Sequence, residues 1–262
     1  MIRQPAVAGT FYPANAGALR HTVTQFLNAS GPSRVGGRPK ALIAPHAGYV
    51  YSGVVAGRAY AQLIGCAETI RRVILLGPTH RVHIRGMALP GVASFATPLG
   101  EIPIDQDAVR KLTGMPQVVV NDAAHASEHS LEVQLPFLQS VLNDFSLVPI
   151  AVGDATAADV ADVLEKLWGG PETLIVISSD LSHYLPDTVA RDVDHETVAR
   201  ILSGHQLTSF EQACGALPIN GLLLAASRHN LTAKLLAQCN SGDTAGDRRQ
   251  VVGYAAIEFL ET

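Results

Sequence analysis

The sequence predicts a single α/β domain with a mainly parallel central sheet flanked by helices, and three observations carry that prediction. The chain of 262 residues is 47% hydrophobic and 16% charged, enough apolar material for one large core without a second domain. Short β-rich runs alternate with segments of helical period, the order expected of a sheet covered on both faces. No linker, repeat or low-complexity stretch interrupts that order, so residues 1–262 read as one unit.

Taken along the chain, apolar runs at 40–44, 73–76, 146–152, 173–178, 233–238 and 251–259 are the strands. Helices are placed at 16–28, 52–65, 130–143, 156–168, 187–203 and 217–228. The helix near 130 is supported by Leu131, Leu135, Leu138 and Leu142, which fall on one face at helical spacing. "PSRVGGRP" at 32–39 reads as a loop into the first of these strands.

Composition excludes some classes of partner. A net charge of −4 with signs mixed along the chain leaves no basic stripe, so neither nucleic acid nor an anionic membrane surface is implied. Apolar windows are broken by Gly, Pro or charge well before a bilayer-spanning length. A small-molecule substrate or a short peptide remains as the expected partner, and the oligomeric state is left open. Cys66, Cys214 and Cys239 are odd in number and lack short spacing, and no charged segment followed by an apolar one opens the chain. The expectation is a reducing, cytoplasmic setting.

Chemistry gathers where the apolar runs stop. "APHAGYVYSG" follows the first with Pro45, His46 and Gly48, "LLGPTH" follows the second with Gly77, Pro78 and His80, and "SSDLSHY" follows a third with Asp180, His183 and Tyr184. In an open parallel sheet the carboxyl ends of the strands form the crevice that binds ligands, so these histidines are expected on one rim. Each alone has a bland reading as a loop cap; three at equivalent places do not.

Cys239, in "LLAQCNSGD", brings a thiol to the end of another apolar run, whereas Cys66 and Cys214 read as small buried hydrophobes. A thiolate with two imidazoles suits iron, copper or zinc and not magnesium or calcium. "HASEHSLEVQLPFL" contains H-x-x-E-H, a zinc signature that works only when both histidines share a helix face. Ser127 and Ser130 are natural N-caps for the leucine-faced helix, which leaves His125 before its start, and the match is read as chance. His125, His129 and Glu132 are instead expected to shape the pocket, with Tyr49 and Tyr51 either at its rim or in packing.

Together "AVAGTFYPA", "APHAGYVYSG", "LGPTH", "EHSLEVQLPFL", "SSDLSHY" and "CNSGD" resemble the Memo family (AmmeMemoRadiSam system protein B in bacteria and archaea), nearly end to end. The resemblance implies a class III extradiol dioxygenase-like fold and a metal held by His46, His80 and Cys239. The metal implied is Fe(II) or Cu, with Zn as an alternative. His183 matches the acid/base position of the dioxygenases, with Asp180 beside it, which makes these two the implied catalytic pair. A thiolate in place of the dioxygenases' carboxylate ligand puts ring opening in doubt and leaves a redox role. Three functions stay open at this level: a metal-dependent oxidase or dioxygenase-like enzyme, a non-catalytic metal- or peptide-binding protein using the same pocket, and a hydrolase with Cys239 as nucleophile and His183 as base.

Overall fold

Apolar runs become strands and helical-period segments become helices in the computed structural model, which describes residues 1–30 and 37–261. Of the loop expected at 32–39, positions 32–36 lie outside the described residues. The elements in chain order are β1 (Ile2–Arg3), α1 (Ala16–Asn28), β2 (Pro39–Ala44), α2 (Tyr49–Ala61), β3 (Arg72–Pro78), β4 (Met87–Leu89), β5 (Ser94–Thr97), β6 (Gly100–Pro103), α3 (Gln106–Leu112) and β7 (Val118–Val120). They continue with α4 (Asp122–Ala126), α5 (Leu135–Val141), β8 (Ser146–Val152), α6 (Ala157–Leu167), β9 (Thr173–Ser178), β10 (His183–Leu185), α7 (Asp187–Leu202), α8 (Ala216–Arg228), β11 (Leu231–Asn240) and β12 (Val251–Glu261).

The middle of the main sheet is parallel because its strands are buried on both faces. β2, β9, β3 and β8 lie side by side in that order, all parallel, and their near-continuous Val, Ile and Leu content is what two covered faces require. The flanks are antiparallel: β12 joins β2, β11 and β10 pair with β12, and β4 joins β8. The sheet is thus mixed, with nine strands among the described residues, and β1, β5 and β6 form a second, three-stranded sheet.

Local chemistry sets the helix ends. Asn15 caps α1 by accepting from the Ala18 amide, and Thr156 with Asp159 forms a reciprocal capping box at the start of α6. Lys40 of β2, fully buried, donates from Nζ to the carbonyls of Trp168, Gly170 and Thr173 at 2.6, 3.1 and 3.1 Å, satisfying carbonyls of the connection from α6 into β9. α1 lies on α2 because Gly57 has no side chain there: a Cβ would come within 2.6 Å of the Phe26 carbonyl oxygen.

Leu131, Leu135, Leu138 and Leu142 are all buried, yet the segment they mark is a short 3₁₀ turn over Glu132–Gln134 followed by the seven-residue α5. Ser130 caps nothing; its hydroxyl donates to the Pro78 carbonyl. The stretch between β3 and this segment, with β4, β5, β6, β7, α3 and α4, lacks a long periodic run, and its short elements owe their pairing to the rest of the fold.

Glu132, expected in the pocket, is instead fully buried and anchors the amino-terminal segment. It accepts hydrogen bonds from the Arg3 guanidinium, from the Ala6 and Val7 amides at 2.7 and 3.0 Å, and from the Tyr12 hydroxyl at 2.5 Å. Arg3 also donates to the carbonyls of His125 and Glu128. Removing one partner of a buried, hydrogen-bonded pair costs about 3–5 kcal/mol. Glu132→Ala should therefore lower the unfolding free energy by about that much in urea titration and open residues 1–12 to proteolysis, with Glu132→Gln less damaging on both counts.

Candidate metal centre at the strand ends

The parallel register delivers the site. Ala44 of β2 pairs with Ser178 of β9, and the residues two positions beyond each are His46 and Asp180. β3 lies on the other side of β9 and ends at Pro78, two residues before His80. Three neighbouring strands that run the same way must bring these side chains to one rim.

The imidazoles of His46, His80 and His129 meet there, each offering a ring nitrogen, and those three nitrogens lie within 4.8 Å of one another. Ring centroids are 5.3 Å apart for His46 and His80, 5.4 Å for His46 and His129, and 4.6 Å for His80 and His129. Shifts of about an ångström would bring nitrogens so placed to the ~3.4 Å spacing of ligands sharing one metal at ~2.1 Å.

Hydrogen bonds fix how two of the rings face the site. Ser178 Oγ donates to the Ser130 carbonyl at 2.6 Å, so it accepts from His46 Nδ1 at 2.9 Å and from Gln134 Nε2 at 2.7 Å. The His46 proton therefore sits on Nδ1, and Nε2 keeps a free lone pair. His80 Nδ1 faces Glu128 Oε1 at 2.9 Å, which places a proton on Nδ1 and turns the ring's other nitrogen away from the carboxylate. An imidazole turned by a carboxylate or hydroxyl on its far nitrogen is the usual arrangement of a metal ligand.

Glu128 organises the third ring as well. Besides the His80 ring, it accepts from the amides of His80, His129 and Ser130 at 2.5, 3.0 and 2.9 Å. Burial would raise this carboxyl, but the hydrogen bonds and the charge of His80 outweigh it and hold it at about 2. Gly77 makes the approach of this loop feasible: a Cβ there would lie 2.9 Å from Ser130 Oγ and 3.0 Å from Leu131 Cδ2. Nδ1 of His129 is buried 3.3 Å from Glu128 Oε1, without the geometry of a hydrogen bond.

Burial, with His80 and His129 as positive neighbours, holds His46 well below the usual imidazole range, and burial pushes His129 down to about 4. Near neutral pH both present lone pairs rather than protons. Asp180 is raised to about 7 by burial, against the opposing pull of the His46 and Ala47 amides. Its Oδ1 accepts from the His46 amide at 2.8 Å, and Oδ2 lies 4.0 Å from His46 Nε2. Asp180 thus steadies the His46 loop. His183 lines the same pocket, as does Phe11, whose ring is 4.8 Å from that of His129. Burial lowers His183 below its ordinary range.

Besides Glu132, three expected site residues lie elsewhere. Cys239 sits within β11 opposite Tyr254 of β12, belongs to neither the nitrogen cluster nor the pocket lining, and is pushed up to about 11 by burial and then by Asp243. The physical reason is lateral: β11 runs the same way as β2, but β12 lies between them, so Cys239 stands two strands away from the His46 segment. His129 takes the third place instead. Tyr49 is core: its hydroxyl donates to the Val133 carbonyl at 2.9 Å and its ring packs on Tyr12, Phe26 and Phe137. His125 lies in the last turn of α4, with Nε2 on the Ala88 carbonyl at 3.0 Å and its ring edge-on to Phe95. It shares no helix face with His129 because α4 ends at Ala126, and not because of a cap at Ser127 or Ser130: His125 lies inside a helix rather than before one.

Sequence reasoning passed over Glu128 and Cys214. Glu128 was visible inside the H-x-x-E-H letters, beside the histidine it steadies. Cys214, read as packing, lies just before α8 with its sulfur 3.4 Å from His46 Nε2 and 3.3 Å from the Asp180 amide. Its position directly before Gly215 at the helix start was the available signal. Burial, then Asp180, pushes this thiol up to about 12, so it stays protonated.

The fold and site define an α/β domain carrying a histidine-lined, metal-competent pocket at the carboxyl ends of its parallel strands. The family model described as Memo-like protein matches residues 3–258, and the chain belongs to that family. A MEMO1 family protein of Archaeoglobus fulgidus is 37% identical over 275 residues, covering 98% of this chain and 99% of the relative. One from Sulfolobus acidocaldarius is 35% identical with 99% of each chain covered. An uncharacterized protein, JW3007, from Escherichia coli K12 shares the fold at a TM-score of 0.53 and 14% identity, over 84% of this chain and 99% of that one.

His125 supplies a pH prediction. Burial lowers it from 6.5 to about 4, so between those values the unfolded chain binds the proton and the folded chain does not, and stability present above pH 6.5 is lost as pH falls toward 4. The full loss is about 3 kcal/mol. His125→Asn, which keeps a donor for Ala88, should remove that part of the acid slope in urea titrations from pH 6.5 to 4, while contributions from His46, His129 and Asp180 cancel in the comparison.

Proposed function

We propose that this protein is a metal-dependent redox protein in which His46, His80 and His129 hold a transition metal beside a small-molecule pocket. The observation that carries the reading is the meeting of three imidazole nitrogens within 4.8 Å of one another, with Ser178 and Glu128 accepting hydrogen bonds from Nδ1 of His46 and His80 so that the other ring nitrogens are left for a metal. Neutral imidazoles favour iron or copper, with zinc as the alternative, over magnesium or calcium. Such a metal would supply open coordination positions and, for iron or copper, one-electron chemistry.

The chain's own groups do the remaining work. His183, neutral near pH 7 and lining the same pocket, accepts a proton from a bound hydroxyl and returns it later. Asp180, poised near pH 7, is a second proton store at the pocket floor. A cytoplasmic setting agrees with three free cysteines, and among the described residues no helix is long and apolar enough to cross a membrane. A second reading, a binding protein without turnover, is favoured by the breadth of the pocket, about 1090 Å³. The thiol-hydrolase reading loses support because Cys239 does not line the pocket with His183.

The test is anaerobic reconstitution with Fe(II), Cu(I), Cu(II) and Zn(II) separately, followed by metal analysis and oxygen-consumption rates. His80→Ala and His129→Ala should lose metal, whereas Cys239→Ser should keep it. Loss in Cys239→Ser with retention in His129→Ala would restore the thiol as third ligand and refute this donor set.

His183→Ala should retain metal while slowing oxygen turnover by about 10²-fold or more, the scale of a lost general acid or base. If it loses metal as completely as His80→Ala, His183 is a ligand. A loaded wild-type protein that consumes no oxygen with any candidate reductant supports the binding reading.

A further inference from the structure

The pocket above the three histidines has an apolar rim that proton transfer and metal holding do not explain. Tyr184, Val189 and Phe210 are 70%, 46% and 63% exposed, and all three line the cavity together with Phe11. Single exposed apolar residues are ordinary. Several around one mouth, continuous with a polar floor, mark a binding surface.

The backbone is bent to build this rim. In a regular strand successive side chains point to opposite faces, yet His183, Tyr184 and Leu185 all line the cavity. The pairing of β10 with β12 shifts between His183 and Leu185, which face the adjacent residues Val252 and Val251. Tyr184, between them, has φ +59°, a conformation that a side chain other than glycine adopts at a cost. That bulge aims His183 at the floor while holding the Tyr184 ring at the mouth. From the other side α7 presents Val189, Val193 and Glu196, spaced four and three apart, as a stripe toward the same space.

We propose that the pocket's ligand is an amphiphilic small molecule, with an oxygen-donor head that reaches the histidine floor and an elongated apolar tail lying between Phe11, Tyr184, Val189 and Phe210. The head's chemistry rests on the metal reading given above; the tail rests on the rim alone. A cavity of about 1090 Å³ is larger than a small polar head would need and lies just above the usual range for drug-sized ligands. The bulge at Tyr184 makes it a specificity-determining residue for the tail.

The test uses zinc-loaded protein, whose metal content is measured first, and titration calorimetry with acetohydroxamate and octanohydroxamate, which share one chelating head and differ by six methylenes. Octanohydroxamate should bind about 50-fold more tightly, from burial of roughly half the added chain. Tyr184→Gly and Val189→Ser should each cut that gain by about five-fold or more and leave acetohydroxamate unchanged. Glycine takes φ +59° freely, so Tyr184→Gly should also melt no lower than the wild type. Equal affinity for the two hydroxamates would overturn the tail and leave the metal reading standing. Failure to hold zinc, or to bind either hydroxamate when loaded, would overturn the metal reading. Equal binding of octanohydroxamate to loaded and metal-free protein would overturn the chelated head.

Discussion

Parallel pairing of β2, β9 and β3 is the constraint from which the rest follows. Parallel neighbours end on the same side, so whatever chemistry each chain segment carries just past its strand is forced onto one rim. The register Ala44 to Ser178 places His46 and Asp180 in equivalent positions, and β3, on the far side of β9, adds His80. Buried aliphatic strands give this frame rigidity, because an interior packed to crystal density does not yield by fractions of an ångström without cost.

Two buried glutamates four residues apart then convert a rim into a site. Glu128 gathers the amides of His80, His129 and Ser130 and the His80 ring, holding two imidazoles at the pocket from one carboxylate. Glu132 faces the opposite way and collects Arg3, the Ala6 and Val7 amides and Tyr12. The second anchor sets where the amino-terminal segment runs, and that segment carries Phe11 to the His129 ring. A stability element and a pocket wall are therefore one network, in which a full set of hydrogen bonds compensates the cost of burying charge.

Placement decides the character of each thiol and imidazole. His46, His129 and His183 are chemically alike and all lowered by burial, but only the first two stand in the nitrogen cluster with His80. Cys214 and Cys239 are both raised by burial, yet only Cys214 touches His46. One thiol is held beside the cluster and the other on an edge strand, although both are kept neutral by burial.

Much of this was legible in the amino acids. The alternation of branched aliphatic runs with helical stripes determined the α/β class, the central strands 146–152 and 173–178 to the residue, and the expectation that His46, His80 and the "SSDLSHY" segment share a rim, because burial on two faces and chain direction are local in their causes. What sequence could not decide was which remaining donor completes the group. Cys239 and His129 each stand beside an apolar run, and choosing between them depends on strand order, which puts β12 between Cys239 and the His46 segment, and on a loop drawn in by Glu128. Likewise Glu132 and Tyr49 carry polar atoms that suit a pocket, and only their partners across more than 80 residues of chain, Arg3 and Tyr12 for one and Val133 for the other, turn them inward. Long-range hydrogen bonds have no sequence period, and it is tertiary structure alone that pairs them.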